Sequence, residues 1–429
     1  MSLLLCGSER GKKIFFLFAI LIFFTGVVNI RAGELTTDKA FVAKVIDYVR
    51  EIENETIEEQ IKISEIPAPP FGEEARAAYI RQRFVMLGLK NVRTDAEGNV
   101  IGEYEGKGEK PHLVLSAHLD TVFPKGTDVT VSREGNVLKG PGISDDSRGL
   151  AVILAVARVL QKFSVQTSGS ISFVATVGEE GLGNLRGVRE LFSQTLKNVD
   201  YFISVDDVGL KTIATAVGSH RYKVTYRGTG GHSYSDFGLA NPMHALGRAM
   251  AKIADFQVPE KPKTTFSIGR VSGGTSVNSI AHTVWMEVDM RSQDVLELKK
   301  LDAAFQKAVR EALKEENERR TTGDSLRLEI VSIGLRPTGT LAADAPLLQA
   351  VRRADRFLGI EAEALAGSTD ANIPISMGIE ALTMGGGGDG QNKHSLEETF
   401  ITDNSHQGTQ RVLLTVLELV GFLGHKPGR

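Results

Sequence analysis

The sequence predicts an α/β protein: a mostly parallel sheet with helices on both faces, into which a smaller α+β unit is inserted. Two observations carry this. Short apolar runs alternate with helical patterns, and these runs are apolar throughout, as strands buried on both faces must be. From about residue 217 to 335 the alternation gives way to a segment of different organisation, so the larger domain is expected in two pieces, 34–216 and 336–429.

After Glu34 two amphipathic helices come first, over about 38–63 and 72–87, separated by Pro67, Pro69 and Pro70, which break the chain between them. The run 113–117, a nearly all-apolar helix over 150–160, the run 171–177, a helix over about 184–196 and the run 201–205 then read as strand, helix, strand, helix, strand. In the insertion, a strand over 222–226 precedes a helix opening at Asn241-Pro242, with Met243, Leu246, Met250 and Ile253 on one face. Strands near 265–271 and 283–290 follow, then a helix through Leu298, Leu301, Phe305 and Val309, then a strand over 326–331. That order is ferredoxin-like. A last apolar run, 379–384, belongs to the larger domain again.

Composition narrows the class. At ~150 residues per domain, 429 residues hold two or three domains, and 50 Lys+Arg against 53 Asp+Glu leave a net charge of -3 with no sign of a nucleic-acid partner. Arg10, Lys12 and Lys13 precede the apolar run 14–28, and Ala32 and Gly33 follow it, the order of a secretory signal's charged, hydrophobic and cleavage regions. Residues 1–33 therefore read as an export signal, and since the run 14–30 sits at the lower limit of the ~17–25 residues that span a bilayer, an uncleaved membrane anchor is the alternative. Either way the body of the protein is expected to be periplasmic or extracellular. Cys6, the single cysteine, precedes the apolar run, so the mature chain would have no disulfide and no cysteine nucleophile.

In parallel sheets, sites form at the carboxyl ends of strands. His118 stands after the first strand with Asp120 two positions on, Glu179 and Glu180 after the second, Asp206 and Asp207 after the third. Gly140-Pro-Gly-Ile-Ser-Asp-Asp-Ser-Arg-Gly149 places Asp145 and Asp146 in a glycine-flanked turn, and Gly385-Gly-Gly-Gly-Asp-Gly-Gln-Asn-Lys-His394 brings a second histidine to another strand end. Each alone has a bland reading as a helix cap or a solvated turn residue. Five at one sheet edge, offering only imidazole and carboxylate, suit a two-zinc centre with one bridging carboxylate. The rival reading of the glycine tracts, a phosphate cradle, lacks both the Lys-Ser/Thr of a P-loop and the third glycine of a dinucleotide fingerprint.

His118-Leu-Asp-Thr-Val, Gly142-Ile-Ser-Asp-Asp, Gly178-Glu-Glu-Gly and the glycine-rich approach to His394-Ser resemble, in order, the motifs of a co-catalytic zinc metallopeptidase family: that of carboxypeptidase G, aminoacylase, succinyl-diaminopimelate desuccinylase and peptidase T. The resemblance implies two divalent ions, zinc first, with cobalt or manganese as alternatives. His118 and Asp206 would hold one, Glu180 and His394 the other, with Asp145 bridging and its bond to Asp146 cis as in relatives. Glu179 would be the general base, taking a proton from water and returning it to the leaving amine. Asp120 would accept a hydrogen bond from the second ring nitrogen of His118, which the i, i+2 spacing favours independently.

In the insertion, Gly230-Gly-His232-Ser resembles the motif whose histidine helps stabilise the oxyanion, in relatives often from the partner subunit of a dimer. Asn278 in Gly273-Gly-Thr-Ser-Val-Asn resembles a substrate-binding asparagine, and Arg291, on the polar face opposite Val284, Met286, Val288 and Met290, is placed to grip a substrate carboxylate or else to pair with Asp289 or Glu287. Arg148 stands where relatives commonly carry Lys and is expected to keep the loop cationic. Asp206 stands where Asp accompanies aminopeptidases and dipeptidases and Glu the carboxypeptidases and deacylases, whereas His118-Leu-Asp-Thr-Val-Phe-Pro looks more like carboxypeptidase G. The expectation is an exported two-zinc exopeptidase of aminopeptidase or tripeptidase type, cutting short peptides and homodimeric through the insertion. The alternatives are a carboxypeptidase G-like enzyme or N-acyl-amino-acid amidohydrolase with the same centre, and an exported peptide-binding inactive homologue.

Overall fold

The computed structural model describes residues 38–425, the side chain of His425 apart. The expected signal or anchor, residues 1–33, and Cys6 lie outside the described residues. Among those described, no helix is long and apolar enough to cross a membrane.

The strands Ser170–Thr176, His112–His118, Tyr201–Val205 and Glu380–Met384 lie side by side in that order, all parallel, at the middle of a nine-stranded sheet. Successive side chains point to opposite faces, and both faces are covered. Leu113, Leu115 and Ala117 pack with the helix Ser147–Lys162 and the helix His406–Val420, while Val114, Val174 and Phe202 pack with Leu185, Val188 and Ala371 on the other side. This is why the strands read as unbroken apolar runs. Registers pair His112 with Ser170, His118 with Thr176 and Tyr201 with Glu380, so the four carboxyl ends align at one edge. At the margins, Lys90–Thr94 and Val100–Tyr104 add antiparallel on one side; on the other, Thr212–Ala216 pairs antiparallel with Glu380–Met384 and Gly339–Thr340 and parallel with Ala364–Gly367.

Two helices depart from expectation. The one expected over 38–63 is divided at Ile52 into Lys39–Glu51 and Glu53–Ser64, because Phe41, Val45 and Val49 join the main core while Ile57 packs with Ile143 and Phe400. Periodicity persists through such a change of axis and cannot announce it. The helix expected over 184–196 is only Arg186–Glu190, followed by a wider turn at Leu191–Thr195. Asn184 and Leu185 are held at φ 51° and 60° by tertiary contacts: Leu185 is fully buried and Asn184 Oδ1 accepts from the Leu335 N–H at 2.8 Å.

The insertion is a four-stranded antiparallel sheet, ordered Thr264–Gly273, Thr283–Ser292, Gly218–Arg227, Arg327–Arg336, with the helices Pro242–Ala254 and Val295–Arg319 against it. That is the ferredoxin-like arrangement. Val284, Met286, Val288 and Met290 point into an apolar cluster with Leu246, Ile253, Phe305 and Val309, separate from the clusters of the larger sheet. The helices begin where local chemistry dictates: Asn241 Oδ1 accepts from the Met243 N–H ahead of Pro242, and Asp294 Oδ1 from the N–H groups of Leu296 and Glu297.

Candidate metal centre

His118, Asp120, Glu179, Glu180 and Asp206 are all buried at the aligned strand ends, in a protein whose cleft there encloses about 500 Å³. Asp145 is the pivot. Its Oδ1 lies 3.0 Å from His118 Nε2 and its Oδ2 3.0 Å from His394 Nε2, which in turn is 2.9 Å from Glu180 Oε1. One carboxylate thus addresses two imidazoles through different oxygens, the arrangement expected of a bridging ligand. The peptide between Asp145 and Asp146 is cis. Asp146 caps the helix Ser147–Lys162 through Gly149 and accepts from the His118 N–H at 2.9 Å, so the helix start holds the strand end.

The donor set fits divalent cations. Ligand atoms of His118, Asp145 and Glu180 lie within 4.8 Å of one another. Asp206 Oδ1 is buried with no hydrogen-bond partner, and such an atom is costly unless a cation faces it. The Lys393 ammonium is drawn to the same place, 3.0 Å from Asp145 Oδ2 and 3.7 Å from Asp206 Oδ1. Burial works against the charged form of Asp145, yet Lys393, His118 and His394 hold its carboxyl well below the usual range. Hydrogen bonds to Asp145 and Glu180 push the His394 imidazole up to about 10, and carboxylate partners outweigh burial to raise His118 as well. Asp206 is raised by burial, against the pull of Lys393.

Glu179 sits beside this cluster and outside the Asp145 contacts. Burial pushes its carboxyl up to about 8, against Arg336, whose Nη1 donates to Glu179 Oε1 at 2.9 Å and whose Nη2 donates to the Glu179 carbonyl. Asp120 faces the second ring nitrogen of His118 as expected, and its carboxylate has a further task. His118 Nδ1 lies 3.0 Å from the Asp120 carbonyl oxygen and 3.7 Å from Asp120 Oδ1, while the carboxylate accepts the N–H groups of Glu179 and Glu180 at 3.0 and 2.8 Å. The i, i+2 geometry that faces both residues the same way also brings the backbone oxygen closer to the ring.

Arg148, expected to keep its loop cationic, does so from inside the protein. It is fully buried, donating to the carbonyls of Gly386 and Ser405 at 2.7 Å each and pairing with Glu53 at 3.0 Å, so it braces the glycine-rich loop from behind and adds no cationic group to the cleft. The glycines answer to that packing: a Cβ on Gly387 would meet the Ser405 carbonyl at 2.2 Å, so the close approach is to the start of the helix His406–Val420 and away from the ligands.

Of the insertion's expected residues, Arg291 lines the cleft, with Arg221 and Arg336. Its Nε donates to Asp289 Oδ2 at 2.7 Å, so the pairing alternative is realised and Arg291 also faces the cleft. His232 and Asn278 come together elsewhere. His232 pairs with Ser279 in the small ribbon Gly231–His232 with Ser279–Ile280, and Asn278, just before it, accepts from the Ser233 N–H through its carbonyl; both are exposed and outside the cleft lining of their own chain. Glu398 was not foreseen. It is fully buried and accepts from the N–H groups of Gly142, Ser144 and Asp145 and from the Ser144 hydroxyl, clamping the turn that carries Asp145. Its spacing from His394 was the available signal, but an acid four residues from a ligand in a loop has no periodicity to mark it.

The profile of Peptidase family M20/M25/M40 matches residues 114–418, and the chain belongs to that family. Carboxypeptidase G2 of Pseudomonas sp. (strain RS-16) is 28% identical over 201 residues, 45% of this chain and 45% of that one. A succinyl-diaminopimelate desuccinylase of Corynebacterium glutamicum is 25% identical over 239 residues, 54% of this chain and 64% of its own. The chain thus spans about half to two thirds of these curated relatives. The fold is shared with a tripeptidase from Staphylococcus aureus, TM-score 0.72 at 21% identity, covering 86% of this chain and 98% of that one.

Proposed function

We propose that the chain is an exported metal-dependent exopeptidase that hydrolyses short peptides, of aminopeptidase or tripeptidase type. The observation that carries the reading is Asp145 dividing its oxygens between His118 and His394, with Glu179 buried beside it and held by Arg336. His118 and Asp206 would hold one ion and His394 and Glu180 another, with Asp145 shared between them; zinc suits these donors. Divalent cations here supply Lewis acidity, polarising the scissile carbonyl and making water more acidic.

The chain's own residues do the rest. Glu179 Oε takes a proton as water adds to the carbonyl carbon, then delivers it to the leaving nitrogen as the C–N bond breaks, and burial favours a carboxyl that both accepts and returns a proton. Arg336 fixes the orientation of Glu179, and Asp120 holds the Glu179 and Glu180 backbone in place. Arg291 grips a substrate carboxylate. His232 and Asn278 act on the cleft of a second copy in a homodimer; the strand Thr264–Gly273, paired on one side only, and Tyr234 and Phe237, each 87% exposed near His232, support such a contact.

Asp206 favours the aminopeptidase reading. The second reading, a carboxypeptidase or N-acyl-amino-acid deacylase, is supported by Arg221, Arg291 and Arg336 on the cleft wall and by what the curated relatives are named for. Hydrolysis of a free tripeptide and of its N-acetylated twin, with zinc or cobalt and a chelator control, separates them. Cleavage of the free form alone supports the proposal, and cleavage of the blocked form moves the assignment to the second reading. Turnover that survives complete chelation would sink both.

A further inference from the structure

The chain passes between the larger sheet and the insertion twice, at Val217–Gly218 and at Pro337–Thr338. The two passages run as one antiparallel ribbon in a single register, with Ala216 opposite Gly339 on the core side and Ser219 opposite Arg336 on the insertion side. Between those pairs the ladder is interrupted. Gly218 falls opposite Pro337, which has no N–H to donate, so one of the two bonds of a rung there is chemically barred. An interrupted ribbon of two strands is a place where a domain can pivot.

One side chain spans the interruption. Asn372 is fully buried at the start of the helix Asn372–Ser376, and its Nδ2 donates to the carbonyls of both Val217 and Pro337, 2.9 Å each. Its Oδ1 accepts from the Thr369 N–H at 2.9 Å, so the amide's two protons and its oxygen are all engaged. Thr369 belongs to the cleft wall with Gly367 and Ser368; Gly367 accepts from the Val217 N–H at 2.7 Å, and Ser368 Oγ from Arg336 Nη1 at 3.2 Å. Arg336, one residue before Pro337, is the group that holds Glu179.

We infer that Asn372 is a positioning residue: its amide latches both crossings to the cleft wall and thereby sets where the insertion presents Arg336 to Glu179 and Arg291 to the cleft. The activity arm of the test rests on the cleft being the site of hydrolysis, and the geometric arm does not. Besides the bonds of Arg336 to Glu179 and Ser368, the insertion meets the core through bonds from Arg221 Nη1 to the Gly181 carbonyl, from the Leu335 N–H to Asn184 Oδ1 and from Arg189 to the Leu335 carbonyl, on the segment just after Glu180. None of them spans the two crossings, so only Asn372 among these contacts fixes the pivot itself.

Asn372→Asp keeps the shape and the acceptor but removes both donors. In the full chain with Cys6→Ser, spin labels at Lys307→Cys on the insertion and Asp47→Cys on the core, both exposed, report the distance between the two parts. The wild-type background is expected to give one narrow distance distribution and Asn372→Asp a broader or shifted one. The same substitution should lower kcat/KM roughly ten- to thirty-fold, the order expected from two neutral hydrogen bonds, with the affinity for zinc unchanged in a chelator competition. If Asn372→Asp does not fold, Asn372→Ser, whose hydroxyl can reach one crossing, should give an intermediate width. A distribution as narrow as wild type in either folded variant overturns the latch whatever the activity. Broadening in a protein that hydrolyses no peptide supports the latch and overturns the proposed function.

Discussion

The strand ends of the larger sheet and the polar face of the insertion were both expected to supply the site, and they behave differently. In the sheet, His118 ends its parallel strand while Glu179, Glu180 and Asp206 follow theirs by one to four residues, and register alone brings them to one edge. In the insertion, Arg291 reaches the cleft of its own chain while His232 and Asn278 do not. A parallel sheet collects its strand ends in cis, whereas a domain joined by two thin crossings can direct its residues to its own cleft or to a neighbour's.

The largest expected effect tests the first half of that contrast. Glu179→Gln keeps the hydrogen bond from Arg336 but cannot take a proton, and should lower kcat by roughly 10²- to 10⁴-fold with zinc affinity and KM nearly unchanged. A parallel loss of bound zinc would show that Glu179 is a ligand, contrary to the role given it. The second half is sharpened by mixing two inactive chains. His232→Ala alone should cost roughly 10²- to 10³-fold, the usual loss of an oxyanion donor. Re-equilibrated in equal amounts with Glu179→Gln, it should recover about a quarter of wild-type activity, since half the dimers are mixed and each has one intact site. No recovery means that His232 does not serve a partner's cleft.

Glu398→Ala removes an acceptor shared by four donors around Gly142, Ser144 and Asp145. Zinc affinity is expected to fall roughly 10- to 100-fold, read by competition with a chromophoric chelator, with a lower Tm in the metal-free state. The smallest effect is a pH slope. His118 and His394 are both raised, so their carboxylate partners favour the protonated rings and ligation must work against that preference. The ion pairing of His394 stabilises the metal-free fold fully below 6.5 and is lost as pH rises through about 10. Metal uptake near pH 7 should therefore release roughly two protons per chain, measured by calorimetry in buffers of different ionisation enthalpy. Uptake with no proton release would remove the histidines from the ligand set.

Legibility followed the range of the interactions. The run 113–117 and His118 were readable together because an apolar strand and the residue after it are a local pattern, and likewise 201–205 with Asp206. The alternation of Val284 to Met290 placed Arg291 on the polar face by the same logic. That Asp120 faces His118 Nδ1 was legible from the i, i+2 spacing, but which of its two acceptors lies closer was not, because only the fold ranks their distances. Arg148 was expected only to keep its loop cationic; its partners are Glu53, Gly386 and Ser405, and no spacing rule links residues so far apart.

By itself the sequence determined the order of elements, the parallel core and the chemical identity of the donors, because periodicity and strand-end position are set by neighbours in the chain. The tertiary structure alone decided which donors share Asp145, that Lys393 is drawn among them, that Glu398 clamps the turn and that Asn372 bridges both crossings. Those are contacts between segments up to about 250 residues apart, such as Asp145 with His394. Their existence depends on how the sheet, helices and loops close on one another.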